Sequence, residues 1–557
     1  MPNEVISEEY MDLLVENETL NLYDEKYQVT YIDYANSMVH IPSVDIDKCS
    51  IGDYPYHVFP SIYVLESINS LEESGVIKTR NNPNFNLLGQ GVLVGIVDTG
   101  IDYLHEAFLN EDGTSRIGSI WDQTINNGGV PPESFTYGTE YSNTMLNIAL
   151  NSTNPLSIVP SKDEIGHGTK LAGIIAGNAK LSKNFSGVVP NATIVVVKLK
   201  LAKLVVRDMF LIPADKICYQ ETDIILGVRY LLSVAAKLNR PLAICIGLGS
   251  NQGGHDGYSS LSRYLAFASQ LARTAVVLSA GNEGNTKRHY VGFLDRPQEI
   301  KEFELRVGAN ENNFSMELWQ RAPHRMILDI SSPSGEYITP IYPRIGECRE
   351  IRFIFEPTTI WVNNDVFEVQ TGDQLILMRF RNPQEGIWKF RVSNLESLAS
   401  EFHVWLPSGN LISDETYFID SNPDTTITSP GASIESITIT AYNPTNGSIA
   451  IASSRGYTRT DIIKPDLAAP GVNLVCPTKN NSYGLVTGTG AAAAHATGIV
   501  AMVLEWAVVQ GNNTSIRGFD IKKLLIRGAN RAPDLQYPNK TWGYGKIDIY
   551  GLFEVLS

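Results

Sequence analysis

Apolar positions along this chain fall into three patterns, and each predicts a different kind of element. Residues 91–97 form an unbroken apolar run, and 193–198, 242–246 and 275–279 read the same way. Runs of this length suit strands buried on both faces of a parallel sheet. Between them, residues 223–238 and 259–273 carry helical spacing. Strands alternating with helices predict a parallel α/β sheet with right-handed crossovers. From about 295 to 420 the period shortens to two, in runs such as 303–307, 325–330, 374–380 and 387–392. Seven or more short strands separated by turn clusters predict an inserted all-β sandwich or jelly roll. The α/β pattern resumes at 432, with a strand over 434–441. Residues 491–510 are almost wholly apolar. That stretch is shorter than a secure membrane span and follows a Gly-Thr turn, so it predicts a central buried helix.

The front of the chain reads differently. Residues 28–32 alternate like a strand, 61–65 fit strand or helix, and 78–91 are polar and loop-like around Asn81-Asn82-Pro83-Asn84. The expected organisation is therefore an α+β unit over 1–78, an α/β domain over 79–294 and 425–557, and the all-β insertion over 295–424.

Composition narrows the function classes. With 557 residues, 43% hydrophobic and 19% charged, the chain is expected to fold into several domains. A net charge of −16 argues against nucleic-acid binding. The five cysteines (Cys49, Cys218, Cys245, Cys348, Cys476) form no CxxC pair. Buried free thiols are expected rather than a disulfide framework or a structural zinc site. The first residues lack a secretory pattern, so synthesis in a cytosol is expected. No acidic cluster has calcium-ligand spacing, and no cofactor is expected.

Three motifs bear on chemistry. Asp98-Thr99-Gly100 closes the first buried strand, where α/β sheets place their active groups; by itself it also reads as a capped turn. Gly166-His167-Gly168-Thr169 opens a segment of small residues, and His167 alone also reads as a helix-start residue. Leu485-Val486-Thr487-Gly488-Thr489-Gly490-Ala491 has the form of a nucleophile loop running into a helix, with Gly490 at the position expected to hold the nucleophile.

The order Asp98, His167, then the 490 loop is the acid–base–nucleophile order of subtilisins. Asn282, within Ser279-Ala280-Gly281-Asn282-Glu283-Gly284, resembles the oxyanion-hole donor, and Lys464-Pro465-Asp466 to Val472 resembles the stretch before the serine loop. Gly247-Leu248-Gly249 stands where a substrate-pairing strand reads Ser-Leu-Gly. Together with Gly89 to Gly95, 119–124 and Leu71-Glu72-Glu73-Ser74-Gly75, these motifs resemble the Csp family of subtilisin-like serine proteases of clostridial spores (peptidase S8).

The resemblance implies a subtilisin-like parallel sheet with helices on both faces, a propeptide-like front domain and an inserted jelly roll. Active members cleave the pro-form of a cortex-lytic enzyme at germination, whereas some A- and C-type members are pseudoproteases that transmit germinant signals. Gly490 places this chain with the latter. The resemblance further implies an active Csp partner protease and other pseudoprotease members as partners, a bile salt or amino acid as germinant ligand, and its own retained propeptide over the cleft. It implies synthesis in the mother-cell cytoplasm and incorporation into the spore. The alternatives are a residually active serine endopeptidase or a non-sensing scaffold for the partner.

Overall fold

A computed structural model describes residues 3–23, 25–66, 87–183, 185–296, 299–396 and 398–556. Most of the expected linker over 78–91, and the motif at 71–75, lie outside these described residues.

The apolar runs become the centre of an eight-stranded sheet. Its order is Leu467–Pro470, Ile437–Tyr442, Thr274–Ser279, Leu242–Ile246, Leu93–Asp98, Thr193–Lys198, Ile117–Asp122 and Thr139–Ser142. Neighbouring strands run parallel except for the last pair. Leu93–Asp98 is buried at every position. Its alternate side chains feed two cores, one per face, because strand side chains alternate in direction. Val94 and Ile96 pack with the helices His167–Ala176 and Thr489–Leu504. Leu93 and Val97 pack with Glu221–Leu238 and Ser260–Gln270 on the other face.

Thr489–Leu504 is buried along its whole length. Among the described residues, Thr489–Val509 is the helical stretch long and apolar enough to cross a membrane, yet 83% of its most apolar window is buried inside the protein. An all-round apolar helix surrounded by sheet and helices is a core helix.

The insertion is two packed antiparallel sheets of six and five strands. Its first strand, His289–Leu294, starts ahead of the expected boundary at 295 and pairs with Ser400–Trp405. The core between the sheets is aromatic: Phe314 stacks on Phe380 at 4.6 Å between centroids, and Phe303 on Phe390 at 5.0 Å.

The front unit is a three-stranded antiparallel sheet, with Asn36–Pro42 between Tyr10–Glu16 and Gln28–Tyr31. Met11, Leu13, Val39 and Ile41 share one core with Val206 and Met209 of the α/β domain and with Trp319, Leu377 and Trp405 of the insertion. A buried ionic group adds to this interface. The Asp12 carboxylate takes bonds from His40 Nδ1 and Lys203 Nζ, both at 2.7 Å, and from Gln220 Nε2 at 3.0 Å.

One cysteine expectation is corrected. Cys49 and Cys348 form a disulfide joining the front unit to the insertion. The pairing joins two domains across a separation of 299 residues, so no local spacing signalled it. Cys218, Cys245 and Cys476 are free and buried. Burial pushes their thiols up to about 11, 12 and 12, which leaves them chemically inert near neutrality.

Candidate active site

Asp98 is the last residue of the central strand, and His167 is the first residue of the helix Gly166 caps. Gly166 holds φ 86°, a left-handed conformation that glycine adopts without strain. His167 Nδ1 lies 2.7 Å from Asp98 Oδ1, and both side chains are buried. This contact fixes the Nδ1–H tautomer and leaves Nε2 as the reactive nitrogen. Burial would lower the His167 pKa, but the Asp98 charge and hydrogen bond outweigh it and raise the value above ordinary histidine. Nε2 is buried and has no hydrogen-bond partner among the described residues.

A polar frame holds the pair. Thr99 Oγ1 donates to Asp163 Oδ1 at 2.8 Å and accepts from the Gly168 amide at 2.9 Å. Asp163 also takes bonds from the Gly166 and Thr169 amides. A Cβ on Gly168 would lie 2.2 Å from the Gly100 carbonyl oxygen, so only glycine lets the His167 helix approach the Asp98 loop this closely.

Gly490 lies in the first turn of Thr489–Leu504, buried and without a side chain. The hydroxyls nearby are committed elsewhere. Thr489 Oγ1 accepts from the Gly281 amide at 3.1 Å and donates to Asn282 Oδ1 at 3.3 Å, while the Thr489 amide donates to the same oxygen at 3.1 Å. Thr487 Oγ1 faces the Asn473 amide, and Ser482 Oγ donates to the Asn480 carbonyl. None of the three hydrogen-bonds to His167 Nε2. Because Asn282 Oδ1 is anchored on the helix start, its amide nitrogen faces away from Thr489 as a donor. The residues singled out in the sequence are thus linked: Asp98 to His167, and Asn282 to the turn that carries Gly490.

The substrate-type groove beside them is filled by the chain itself. Ile62–Leu65, which fitted strand or helix in the sequence, is a strand. On one edge Leu65 and Val64 pair antiparallel with Leu248 and Gly249; on the other, Ile62 and Tyr63 pair with Gln220 and Tyr219. The Glu66 amide donates to the Gly247 carbonyl at 2.9 Å. A Cβ on Gly247 would meet the His167 ring at 3.4 Å and the Glu66 carbonyl oxygen at 3.7 Å. The Glu66 carbonyl and the His167 ring therefore both border Gly247.

Glu66 was not singled out in the sequence. Its side chain enters a pocket beside Gly249, where a Cβ would fall 2.0 Å from Oε1. Thr428 Oγ1 donates to Oε1 at 2.9 Å, and Oε2 has no partner among the described residues. Burial pushes the carboxyl up to about 7, against the hydrogen bond of Thr428 and the nearby Ser279 hydroxyl. Beyond Glu66 a cavity of about 480 Å³ opens between Asn282, Arg288, Lys216 and the 409–414 loop. No group of three or more metal-ligating side chains occurs among the described residues.

A parallel α/β sheet with an Asp–His dyad at its strand ends, a donor asparagine beside a buried helix start and an edge that pairs with an extended segment defines a subtilisin-type site. The subtilase family profile (Peptidase S8) matches residues 89–298 and 395–545, which flank the insertion, and the chain belongs to that family. The solved structure of the CspB protease of Clostridium perfringens is similar across 87% of this chain and 98% of that one, with TM-score 0.77 and 29% identity. Subtilisin-like protease SBT3.8 of Arabidopsis thaliana is 24% identical over 513 residues, covering 81% of this chain and 61% of its own length. Serine protease AprX of Bacillus subtilis is 31% identical over 150 residues, 23% of this chain and 32% of its own length. The chain thus spans less than two thirds of the curated relatives it matches.

Proposed function

We propose that this chain is a catalytically inactive subtilase, a pseudoprotease that acts by contact on a partner protease of its own family. The observation that carries the proposal is Gly490 at the start of the helix where a serine nucleophile belongs. Without Oγ no acyl-enzyme forms, whatever the quality of the dyad. In subtilisin, loss of the nucleophile costs on the order of 10⁶ in turnover. The neighbouring hydroxyls of Thr489, Thr487 and Ser482 have other partners and do not reach His167 Nε2.

The occupied groove fits this reading. The strand ending at Glu66 pairs with Leu248 and Gly249 as an extended substrate would, and an uncut front segment is the expected state of a site with a base and no nucleophile. Likeness to a Csp protease, together with the missing nucleophile, supports a role in spore germination, in which the chain transmits a bile-salt or amino-acid signal to an active Csp-type partner.

A fluorophosphonate probe tests the inactive reading. The expected result is no labelling at any residue and an intact N-terminus by mass. Covalent labelling, or trimming after Glu66 in pure protein, refutes it. Co-purification of an active Csp-type protease from spores, changed by germinant, tests the signalling role; a chain that holds no such partner with or without germinant refutes that role.

A further inference from the structure

The groove occupant ends in a carboxyl group that the protein buries without a counter-ion. Glu66 is 3% exposed. Among the described residues the Thr428 hydroxyl is the side-chain donor to Oε1, and Oε2 has no partner. Ser279, at the end of Thr274–Ser279, adds a second hydroxyl. The charged groups that act on it are Glu283, which opposes ionisation, and His167, which favours it. Lys216, Arg288 and Asp414 line the adjoining cavity. Arg288 is committed to the Gly409 carbonyl at 2.7 Å and to Asp414 at 2.8 Å. No cation forms an ion pair with Glu66 among the described residues. The pocket is shaped for the acid, since Gly249 leaves no room for a Cβ beside Oε1.

An ionised carboxylate loses several kcal/mol on entering such a site unpaired, and a neutral acid loses far less. The backbone pairing of residues 62–65 carries no titratable group. Two buried carboxyls lie against the segment, Glu66 and Glu221. Burial also raises Glu221, but it accepts from the Ser61 and Leu261 amides at 3.2 and 2.7 Å. Glu66, with one oxygen unpaired among the described residues, is the carboxyl the segment itself carries into the groove. We propose that Glu66 is a pH-sensitive latch: as a neutral acid it holds the front segment in the groove, and on ionising it releases the groove edge formed by Leu248 and Gly249. The latch regulates the same site as the function proposed above and rests on the front segment staying uncut.

The sign follows from the burial. The buried carboxyl holds its proton up to about 7, against 4.5 when free. Holding is therefore full below the free value and fades as pH rises through about 7. The limiting change in the opening equilibrium is roughly 300-fold, of which about 80-fold falls between pH 5 and pH 9.

Amide hydrogen exchange on the full chain reads this directly, through the backbone of residues 62–66 and 247–249, corrected for the intrinsic pH dependence of exchange. Opening is expected to rise about 80-fold from pH 5 to pH 9 in the native protein. Glu66→Gln, which cannot ionise, is expected to stay flat at the low-pH level. Glu66→Ala is expected to be flat but more open throughout. Opening that is flat or falls with pH in the native chain, or a Glu66→Gln profile that matches it, overturns the latch. Intact mass on the same samples separates the two claims. A whole chain with flat opening overturns the latch alone, whereas a chain cut after Glu66 overturns the inactive reading and the latch with it.

Discussion

Gly490→Ser is the sharpest test of how much of a protease this chain still contains. Residue 490 lies within the helix Thr489–Leu504, and its φ is not among the positive values, so its backbone accepts a side chain. Serine has a higher helix propensity than glycine, and the exchange is expected to stabilise the helix start by up to about 0.5 kcal/mol. The nucleophile is responsible for on the order of 10⁶ in turnover, about 8 kcal/mol at 1.36 kcal/mol per decade. The dyad contact of 2.7 Å is in place, and so is the Asn282 anchor. Even if half of those decades are lost to a loop that has drifted to Ala491 and Ala494, a rise of roughly 10³-fold over the native chain remains. A peptide is already present in the groove, since the strand ending at Glu66 pairs with Leu248 and Gly249 and its carbonyl borders Gly247 beside the His167 ring. The expected product is one cut after Glu66, giving fragments 1–66 and 67–557. The Cys49–Cys348 disulfide holds those fragments together until reduction, so reducing and non-reducing gels distinguish the cut from contamination. The rate is expected to follow a bell. It rises as His167 loses its proton, which Asp98 holds above the ordinary value, and falls as Glu66 ionises and leaves its pocket. A folded variant that neither cuts itself nor takes a fluorophosphonate between pH 5 and pH 9 would refute the claim that only the nucleophile is missing.

Other perturbations follow from the same contacts. Asp12→Ala leaves Lys203 buried without its carboxylate and is expected to cost about 3–5 kcal/mol in chemical denaturation; a loss under 1 kcal/mol counts against the buried pair. Burial alone would raise the Asp12 carboxyl, yet Lys203 and His40 bring it down to about 2 from 3.8. Its share of stability, about 2 kcal/mol, is present above the free value and lost as pH falls through 2, so acid unfolding of Asp12→Asn should lack that component. Cys49→Ser is expected to lower the stability of the docked front unit by about 2–5 kcal/mol, read as a lower melting temperature that added reductant does not lower further. Gly168→Ala places a methyl against the Gly100 carbonyl and is expected to cost about 1–3 kcal/mol. It should also drop the His167 pKa, seen by NMR, as the bond to Asp98 lengthens; an unchanged His167 titration would contradict the close-approach argument.

The sheet was legible because a strand buried on both faces must be apolar at every position, and residues 91–97 and 242–246 are. Asp98, His167 and Asn282 were legible because each stands at the end of such a strand or the start of a helix, where the flanking glycines mark tight geometry. The role of residues 61–66 was not legible. Four apolar or aromatic residues in a row carry no period, and their strand form is imposed by Leu248, Gly249 and Tyr219, far along the chain. Glu66 had no signal either, since acidic residues are almost always exposed and its burial depends on a glycine elsewhere. The disulfide escaped for the same reason, since its partners meet only after the insertion has folded against the front unit. Sequence period reports local structure; contacts between distant segments fix the rest.

On the reading proposed here, the filled groove decides how a partner can engage this protein. A covalently attached occupant competes at an effective concentration of order millimolar or above, so a partner segment entering the groove in trans must outbind it by that margin. The front unit adds its own hold through the core shared with Trp319 and Leu377, the Asp12–Lys203 group and the disulfide. The Asp12–Lys203 group and the disulfide attach to the front unit before residue 62 and can hold it while the strand moves, although Ile62 and Val64 also bury side chains in the shared core and must leave it. That division gives the molecule two separable states, docked with the groove closed and docked with the groove open. They differ by the pairing of four residues, the burial of Ile62, Tyr63 and Val64, and one buried carboxyl, so a signal exchanges them only by favouring the open state by as much as these contacts favour the closed one. Cutting after Glu66, the reaction an active relative would perform, removes the attached occupant and abolishes the switch. Absence of a nucleophile at 490 thereby keeps the groove reversible, which a contact-based regulator needs and a protease does not.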